Sequence, residues 1–229
     1  MNSGAQSIKA VLFDLDGTLL DRERSLVDFV QQQYGRFHHV LETVSQDRYV
    51  GRFVELDAQG HVWKDEVYQQ LLSEFSLTNI SWSLLLEDYV QNFQRHCLGF
   101  PGLHSMLQTL LAQGYQLGLI TNGHTAFQRQ TIQALGITHY FSTILISEAE
   151  NVRKPAPEIF HRALNRLGVD AQEAIFVGDD PEADIRGAQG VGMRAIWKRR
   201  PFEYHCAWAN AFCDDLAHLP GLIQQVMIC

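Results

Sequence analysis

Asp14 and Asp16 stand two residues apart in the run Phe13-Asp14-Leu15-Asp16-Gly17-Thr18-Leu19-Leu20-Asp21, directly after the apolar stretch Ala10 to Phe13. An apolar stretch closed by a glycine turn reads as a buried strand ending in a loop. Side chains two apart on a strand share a face, so both carboxylates leave the strand's carboxyl end close together. In an open α/β sheet that end is where ligands bind. Paired carboxylates repel unless a cation or a proton joins them, which points to a hard metal ion or to acid–base work. Taken alone, the run fits equally well a solvated loop rich in Asp and Gly, common at strand ends.

Three further groups of residues lie at predicted strand ends. Leu119-Ile120-Thr121-Asn122-Gly123 closes one strand with a hydroxyl, an amide and a glycine before a helix opens. Backbone N–H groups at a helix start, beside a Thr hydroxyl, make an anion site, although a plain helix cap explains the same residues. Lys154 stands in Val152-Arg153-Lys154-Pro155-Ala156-Pro157, where prolines stiffen the backbone around one point charge. A solvated loop cation is the plainer account of it. Phe176-Val177-Gly178-Asp179-Asp180-Pro181-Glu182-Ala183-Asp184-Ile185 places an acid cluster after another strand, and part of it suits a helix N-terminus.

The elements that must position these groups follow from hydrophobic pattern. Strands are expected at Ala10–Phe13, Gln116–Ile120, Thr143–Ile146, Ala174–Val177 and Arg194–Trp197. Helical spacing connects Leu103, Met106, Leu107, Leu110 and Leu111, then Phe127, Thr131, Ala134 and Leu135, then Ile159, Phe160, Ala163, Leu164 and Leu167. Strands alternating with helices predict a parallel sheet covered on both faces. Between Gly17 and about Leu98 strand-like runs are absent, and three amphipathic stripes replace them. These are Leu26, Phe29, Val30, Gln33 and Tyr34; Val67, Leu71, Leu72 and Phe75; and Trp82, Leu85, Leu86, Tyr89, Val90 and Phe93, the cleanest of the three. A helical insert placed there is expected to overhang the first strand's carboxyl end. Gly99, Pro101 and Gly102 mark the return to the sheet.

Composition narrows the classes. The 229 residues are 46% apolar and 19% charged, as in an ordinary globular protein. The net charge of −8 argues against sequence-independent nucleic-acid binding but leaves anionic substrates open, since a metal and local cations reverse the field of one cleft. Cys97, Cys206, Cys213 and Cys229 show no CxxC spacing, so a reducing cytoplasm is expected. Met1 to Lys9 carry no apolar signal core, and no stretch approaches membrane-spanning length. The ten histidines form no HExxH spacing, and Gly187, Gly190 and Gly192 read as a helix end and turn rather than a dinucleotide loop.

Taken in order, Asp-x-Asp-Gly-Thr, Thr-Asn-Gly, Lys-Pro and Gly-Asp-Asp-x-x-x-Asp resemble the haloacid dehalogenase superfamily, in its phosphatase-like branch with a helical cap inserted after the first motif. The resemblance runs from about Ile8 to a last strand near Phe212. It implies a Rossmann-like parallel-sheet core of residues 1–17 and 99–229 and an α-helical cap of residues 18–98. It further implies Asp14 as the nucleophile that forms an aspartyl-phosphate, and Asp16 as the acid for the leaving alcohol and then the base for water. Mg²⁺ is implied as cofactor, held by Asp14, the Asp16 backbone carbonyl and Asp179. Thr121, with Asn122 and Gly123, would hold phosphate oxygens, and Lys154 would neutralise charge at the nucleophile. Asp184 would orient Lys154 or a metal-bound water; for Asp180 the resemblance leaves the role open.

An acid two residues after the nucleophile separates phosphate-ester chemistry from the dehalogenases and phosphonatases of the superfamily. The implied activity is hydrolysis of a small phosphorylated metabolite, a sugar phosphate or a nucleoside monophosphate. A phosphomutase uses the same aspartyl-phosphate and is the nearest alternative. Signalling receiver modules share the acid cluster, Thr, Lys and Mg²⁺ but are about half as long and carry no insert after the first strand. A non-catalytic relative conflicts with the joint presence of Asp14, Asp16, Lys154 and Asp179. In the insert, Arg22, Arg24, Arg36, Arg48, Arg52 and Lys64 are surface charges or readers of a substrate's distal group.

Overall fold

The computed structural model describes residues 7–200 and 206–226; the first six residues and Cys229 lie outside the described part. It divides into two compact units, one of residues 1–21 and 99–229, the other of residues 22–98.

The first unit is built on a six-stranded, fully parallel sheet: β1 (Ala10–Phe13), β2 (Gln116–Thr121), β3 (Thr143–Ile146), β4 (Ala174–Gly178), β5 (Arg194–Lys198) and β6 (Ala211–Cys213). Their spatial order is β3-β2-β1-β4-β5-β6. Short β-branched and aromatic runs such as AVLF and AIFVG form strands because such side chains pack well on a pleated surface. Their burial is continuous rather than alternating, as a sheet covered on both faces requires. Leu12, Ile120, Leu145, Phe176 and Trp197 share one core with Ile159, Phe160, Ala163, Leu164 and Leu167 of the Pro157–Leu167 helix. Val11, Phe13, Ile175, Val177 and Ile196 are buried as well. The chain runs outward from β1 to β3, then restarts at β4 on the other side of β1. The carboxyl ends of β1, β2 and β4 therefore flank the point where strand order reverses.

Thr18 to Asp21, expected in the insert, fold with the sheet unit. The Leu15 carbonyl accepts the N–H groups of Thr18, Leu19 and Leu20, and Phe100 N–H donates to Leu19 O at 3.0 Å. A bridge between Leu20 and Gly99 brings the chain's exit and return side by side.

The second unit is helical, with helices Arg22–Arg36, Gln46–Asp57, Lys64–Glu74 and Trp82–Asn92. The Gln33 position in the first stripe is buried because its amide donates to Leu85 O and Asp88 and accepts from the Tyr68 hydroxyl. The Trp82 stripe is narrower than its sequence suggests. Leu85, Tyr89 and Phe93 are buried, whereas Trp82 and Val90 are exposed at 39% and 38%. The Gln46–Asp57 helix had no stripe of its own in the sequence reading. One of its four buried positions is a charge, Asp57, which interrupts the apolar periodicity. Among the described residues no helix is long and apolar enough to cross a membrane.

Candidate active site

Asp14 directly follows β1 and continues its ladder, its N–H donating to Val177 O at 2.9 Å. The backbone then turns through Gly17, with φ of +83°, and a Cβ at that position would run into the Asp179 carboxylate. Glycine is thus required twice at Gly17, for the dihedral and for the space.

Asp179 and Asp184 arrive from the loop after β4. The Asp179 carbonyl accepts the indole N–H of Trp197 on β5 at 2.8 Å, which ties that loop to the sheet. Asp184 lies in a wide helical turn, Pro181–Arg186, of the π type that often accompanies functional sites. Asp180 caps that turn: its Oδ1 accepts the N–H groups of Glu182 and Ala183, both at 2.8 Å. Asp180 Oδ1 serves as a cap, and Asp184 is buried against Lys154.

Lys154 Nζ, almost fully buried, donates to Asp14 Oδ1 and to Asp184 Oδ1, each at 2.6 Å. Its backbone is fixed by reciprocal bonds with the Asn122 side chain: Nδ2 donates to Lys154 O and Lys154 N–H donates to Oδ1, both at 3.0 Å. Asn122 thus positions the lysine segment. Gly123 N–H donates to Ser147 Oγ at 2.9 Å. His124 Nδ1 and the Thr125 N–H meet the Glu148 carboxylate at 2.9 and 2.7 Å on the exposed side of the loop.

The electrostatics are those of crowded, dry carboxylates. Burial pushes Asp179 up to about 8, and the Asp14 charge adds to this, while the guanidinium of Arg200, bonded to Asp179 Oδ2, pulls the other way. Burial likewise raises Asp184 to about 7 against the pull of Lys154, with Asp14 raising it further. For Lys154 burial alone would lower the pKa, but the charges and hydrogen bonds of Asp14 and Asp184 reverse this and hold it raised and protonated. Asp14, Asp179 and Asp184 each offer a carboxylate oxygen within 4.8 Å of the others. Three buried hard oxygen donors beside the cations of Lys154 and Arg200 fit a divalent ion of the Mg²⁺ type.

Thr121, at the end of β2, is buried, and its Oγ1 accepts from Gln128 Nε2 at 3.0 Å; the same nitrogen donates to Asp16 Oδ2 at 2.6 Å. Gln128 was not a candidate in the sequence. The apolar stripe had assigned the inward position to Phe127, yet the Thr125–Ala134 helix buries Gln128, Thr131 and Ile132 and exposes Ala134. The spacing Gln128, Thr131, Ile132, Leu135 carried the signal, but a polar first member hid it. In the insert, Asp57 accepts both terminal nitrogens of Arg22 at 2.8 Å and pairs with buried Lys64. Arg36 pairs with Asp88, Arg52 with Glu55 and Glu74, and Arg48 stacks on Phe75.

Comparison with known proteins agrees with this geometry. Residues 11–198 match the model of the haloacid dehalogenase-like hydrolase family. The chain is 34% identical over 194 residues to the glyceraldehyde 3-phosphate phosphatase of Pyrococcus abyssi, covering 83% of this chain and 81% of that one. It is 29% identical to the phosphoglycolate phosphatase of Yersinia pestis, over 96% of this chain and 94% of that one. The crystal structure of a phosphatase of the same family from Thermococcus onnurineus superposes with a TM-score of 0.67 at 31% identity, covering 94% of this chain and 98% of the other. On the family match over residues 11–198 and the parallel fold beneath it, the chain belongs to the haloacid dehalogenase-like hydrolase family.

Proposed function

We propose that the protein is a phosphatase that hydrolyses a small phosphorylated metabolite through an aspartyl-phosphate on Asp14, with Mg²⁺ as cofactor. The observation that carries the reading is the bridge of Lys154 between Asp14 and Asp184, set beside the Asp179 carboxylate at the reversal of strand order. An ammonium there sits against the Asp14 carboxylate that would attack and offers a charge to an incoming phosphate. The similarity to phosphatases of two- and three-carbon phosphates supports a small substrate.

Asp14 and Asp179 would hold Mg²⁺, with the Asp16 backbone carbonyl as a further oxygen; when bound, the ion supplies the charge neutralisation that lets a carboxylate approach a phosphate dianion. An oxygen of the Asp14 carboxylate attacks phosphorus, and the bond from phosphorus to the ester oxygen breaks. The departing alcohol takes its proton from the Asp16 carboxyl. Water then attacks the phosphorus of the aspartyl-phosphate and gives its proton to the Asp16 carboxylate, while the bond from phosphorus to the Asp14 oxygen breaks. Inorganic phosphate leaves, and Asp14 and protonated Asp16 are restored. Thr121 and the Asn122 N–H hold phosphate oxygens through both steps, the Gly123 N–H being given to Ser147 Oγ.

The test is release of inorganic phosphate from 4-nitrophenyl phosphate and a panel of small sugar, glycolate and amino-acid phosphates, with Mg²⁺ and with chelator. Asp14→Asn is expected to lose activity on the order of 10⁴-fold, and Asp16→Asn about 10²–10⁴-fold. Turnover that persists in chelator or in Asp14→Asn would overturn the mechanism.

A further inference from the structure

Gln128 is only 3% exposed, and none of the steps above uses it. Its Nε2 donates to Asp16 Oδ2 at 2.6 Å, to Thr121 Oγ1 at 3.0 Å and to the Asn122 carbonyl at 3.1 Å. Two N–H groups thus serve three acceptors. Its Oε1 is buried and has no hydrogen-bond partner among the described residues. A buried amide ordinarily satisfies both ends, because an orphaned carbonyl carries a desolvation cost. Core packing does not explain the residue either: Ile132 and Leu135 surround the same helix face, and an apolar side chain would serve there without an orphan. The loop also leaves room for it. Gly123, at φ of +152°, would put a Cβ 2.8 Å from Gln128 Nε2 and 3.0 Å from its Cγ. What the amide achieves lies at its nitrogen, which must face this side because the Asn122 backbone carbonyl there can only accept.

We infer that Gln128 is a positioning residue for the proton-transfer step: it fixes the Asp16 carboxylate against the Thr121 hydroxyl, so that proton carrier and phosphate grip share one anchor. The inference rests on the reading of Asp16 as the proton carrier. Gln128 makes no bond to Asp14; its bond to Thr121 bears on the phosphate grip, and its shorter bond, to Asp16, acts where the alcohol leaves. A basic leaving group needs the proton that Asp16 delivers, whereas a good leaving group departs without it. Loss of Gln128 therefore has a leaving-group signature that general loosening of the fold lacks.

The experiment measures kcat/KM, which reports the steps through departure of the alcohol, for phenyl phosphate and 2,4-dinitrophenyl phosphate in Mg²⁺ buffer. Gln128→Met keeps the length and removes the donor; Gln128→Glu keeps the shape and replaces donor by acceptor, and it carries the test if the Met variant does not fold. Either is expected to lower kcat/KM on phenyl phosphate about 10²-fold, the cost of a small misplacement of a catalytic group. On the dinitrophenyl ester the loss is expected to stay within about threefold. In an Asp16→Asn background, Gln128→Met is expected to add no further loss. Equal losses on both esters, no loss on either, or a full additional loss in the Asp16→Asn background overturns the inference. Asp16→Asn alone separates the two claims. If it leaves phenyl phosphate turnover intact, the reading of Asp16 fails; if it is selectively impaired while the Gln128 variants are not, only the role of Gln128 fails.

Discussion

Asp179 and Gly17 illustrate how closely single atoms are set in this site. A methyl group at Gly17 would occupy the space of the Asp179 carboxylate, on a backbone at φ of +83°. Gly17→Ala is therefore expected to destabilise the protein by roughly 1–3 kcal/mol through backbone strain. It is also expected to weaken Mg²⁺ affinity about 10–100-fold by displacing a ligand. Urea unfolding and metal titration check the two effects; a variant with wild-type affinity would show that Asp179 has freedom to move aside. The carboxylate pair, Thr121, Lys154 and Asp179 were legible in the sequence because each ends a strand in a short recognisable run. Gln128 was not, since its neighbour Phe127 satisfies an apolar helical pattern better, and only the helix's actual rotation shows which of the two turns inward.

Among the elements, the helical insert holds a charge cluster in which Arg22 and Lys64, read from the sequence as surface charges or readers of a distal group, pair with Asp57. Asp57 and Lys64 are buried, and Arg22 joins them across the ends of three helices. Burial works to raise the Asp57 pKa, but the hydrogen bonds and charges of Arg22 and Lys64 outweigh it and hold the carboxyl below its ordinary range. A depressed carboxyl pKa contributes stability that is present above the unfolded-state value and is lost as pH falls through the folded-state value. Asp57→Asn leaves two cations uncompensated and is expected to cost about 3–5 kcal/mol near neutral pH. The gap from wild type is expected to shrink as pH falls below about 4. Denaturant unfolding at several pH values checks both; a pH-independent gap would mean that packing, not charge, is what Asp57 supplies. Helix stripes revealed that the insert was helical. They did not reveal this cluster, because Arg22 and Asp57 lie 35 positions apart and Asp57 and Lys64 lie on different helices, so neither pair leaves a periodic trace.

For the whole molecule, a chain of net charge −8 concentrates three buried carboxylates where the proposed phosphate substrate would arrive. Lys154 and Arg200 offset part of that charge. Binding of a divalent cation to the folded state alone stabilises it by linkage. At a hundredfold excess over Kd, Mg²⁺ is expected to add about 2.7 kcal/mol, or roughly 5–10 °C in the transition of the sheet unit. Chelator is expected to remove the increment, and Asp179→Asn to abolish it. Calorimetry with and without Mg²⁺ is the measurement, and a transition indifferent to the ion would exclude a resident metal at these acids.

The sequence by itself determined the parallel α/β class, the helical character of the insert and the chemical types at the strand ends, because hydrophobic period and turn residues are local. It also ordered four motifs so that one family accounts for them. The tertiary structure decided what depends on direction in space. Asp180 caps its own turn while Asp184 faces Lys154. Asn122 holds the lysine backbone, and Gln128 rather than Phe127 reaches Asp16. Each of these contacts joins side chains whose approach is set by helix rotation and strand register, and neither is fixed by any short stretch of chain.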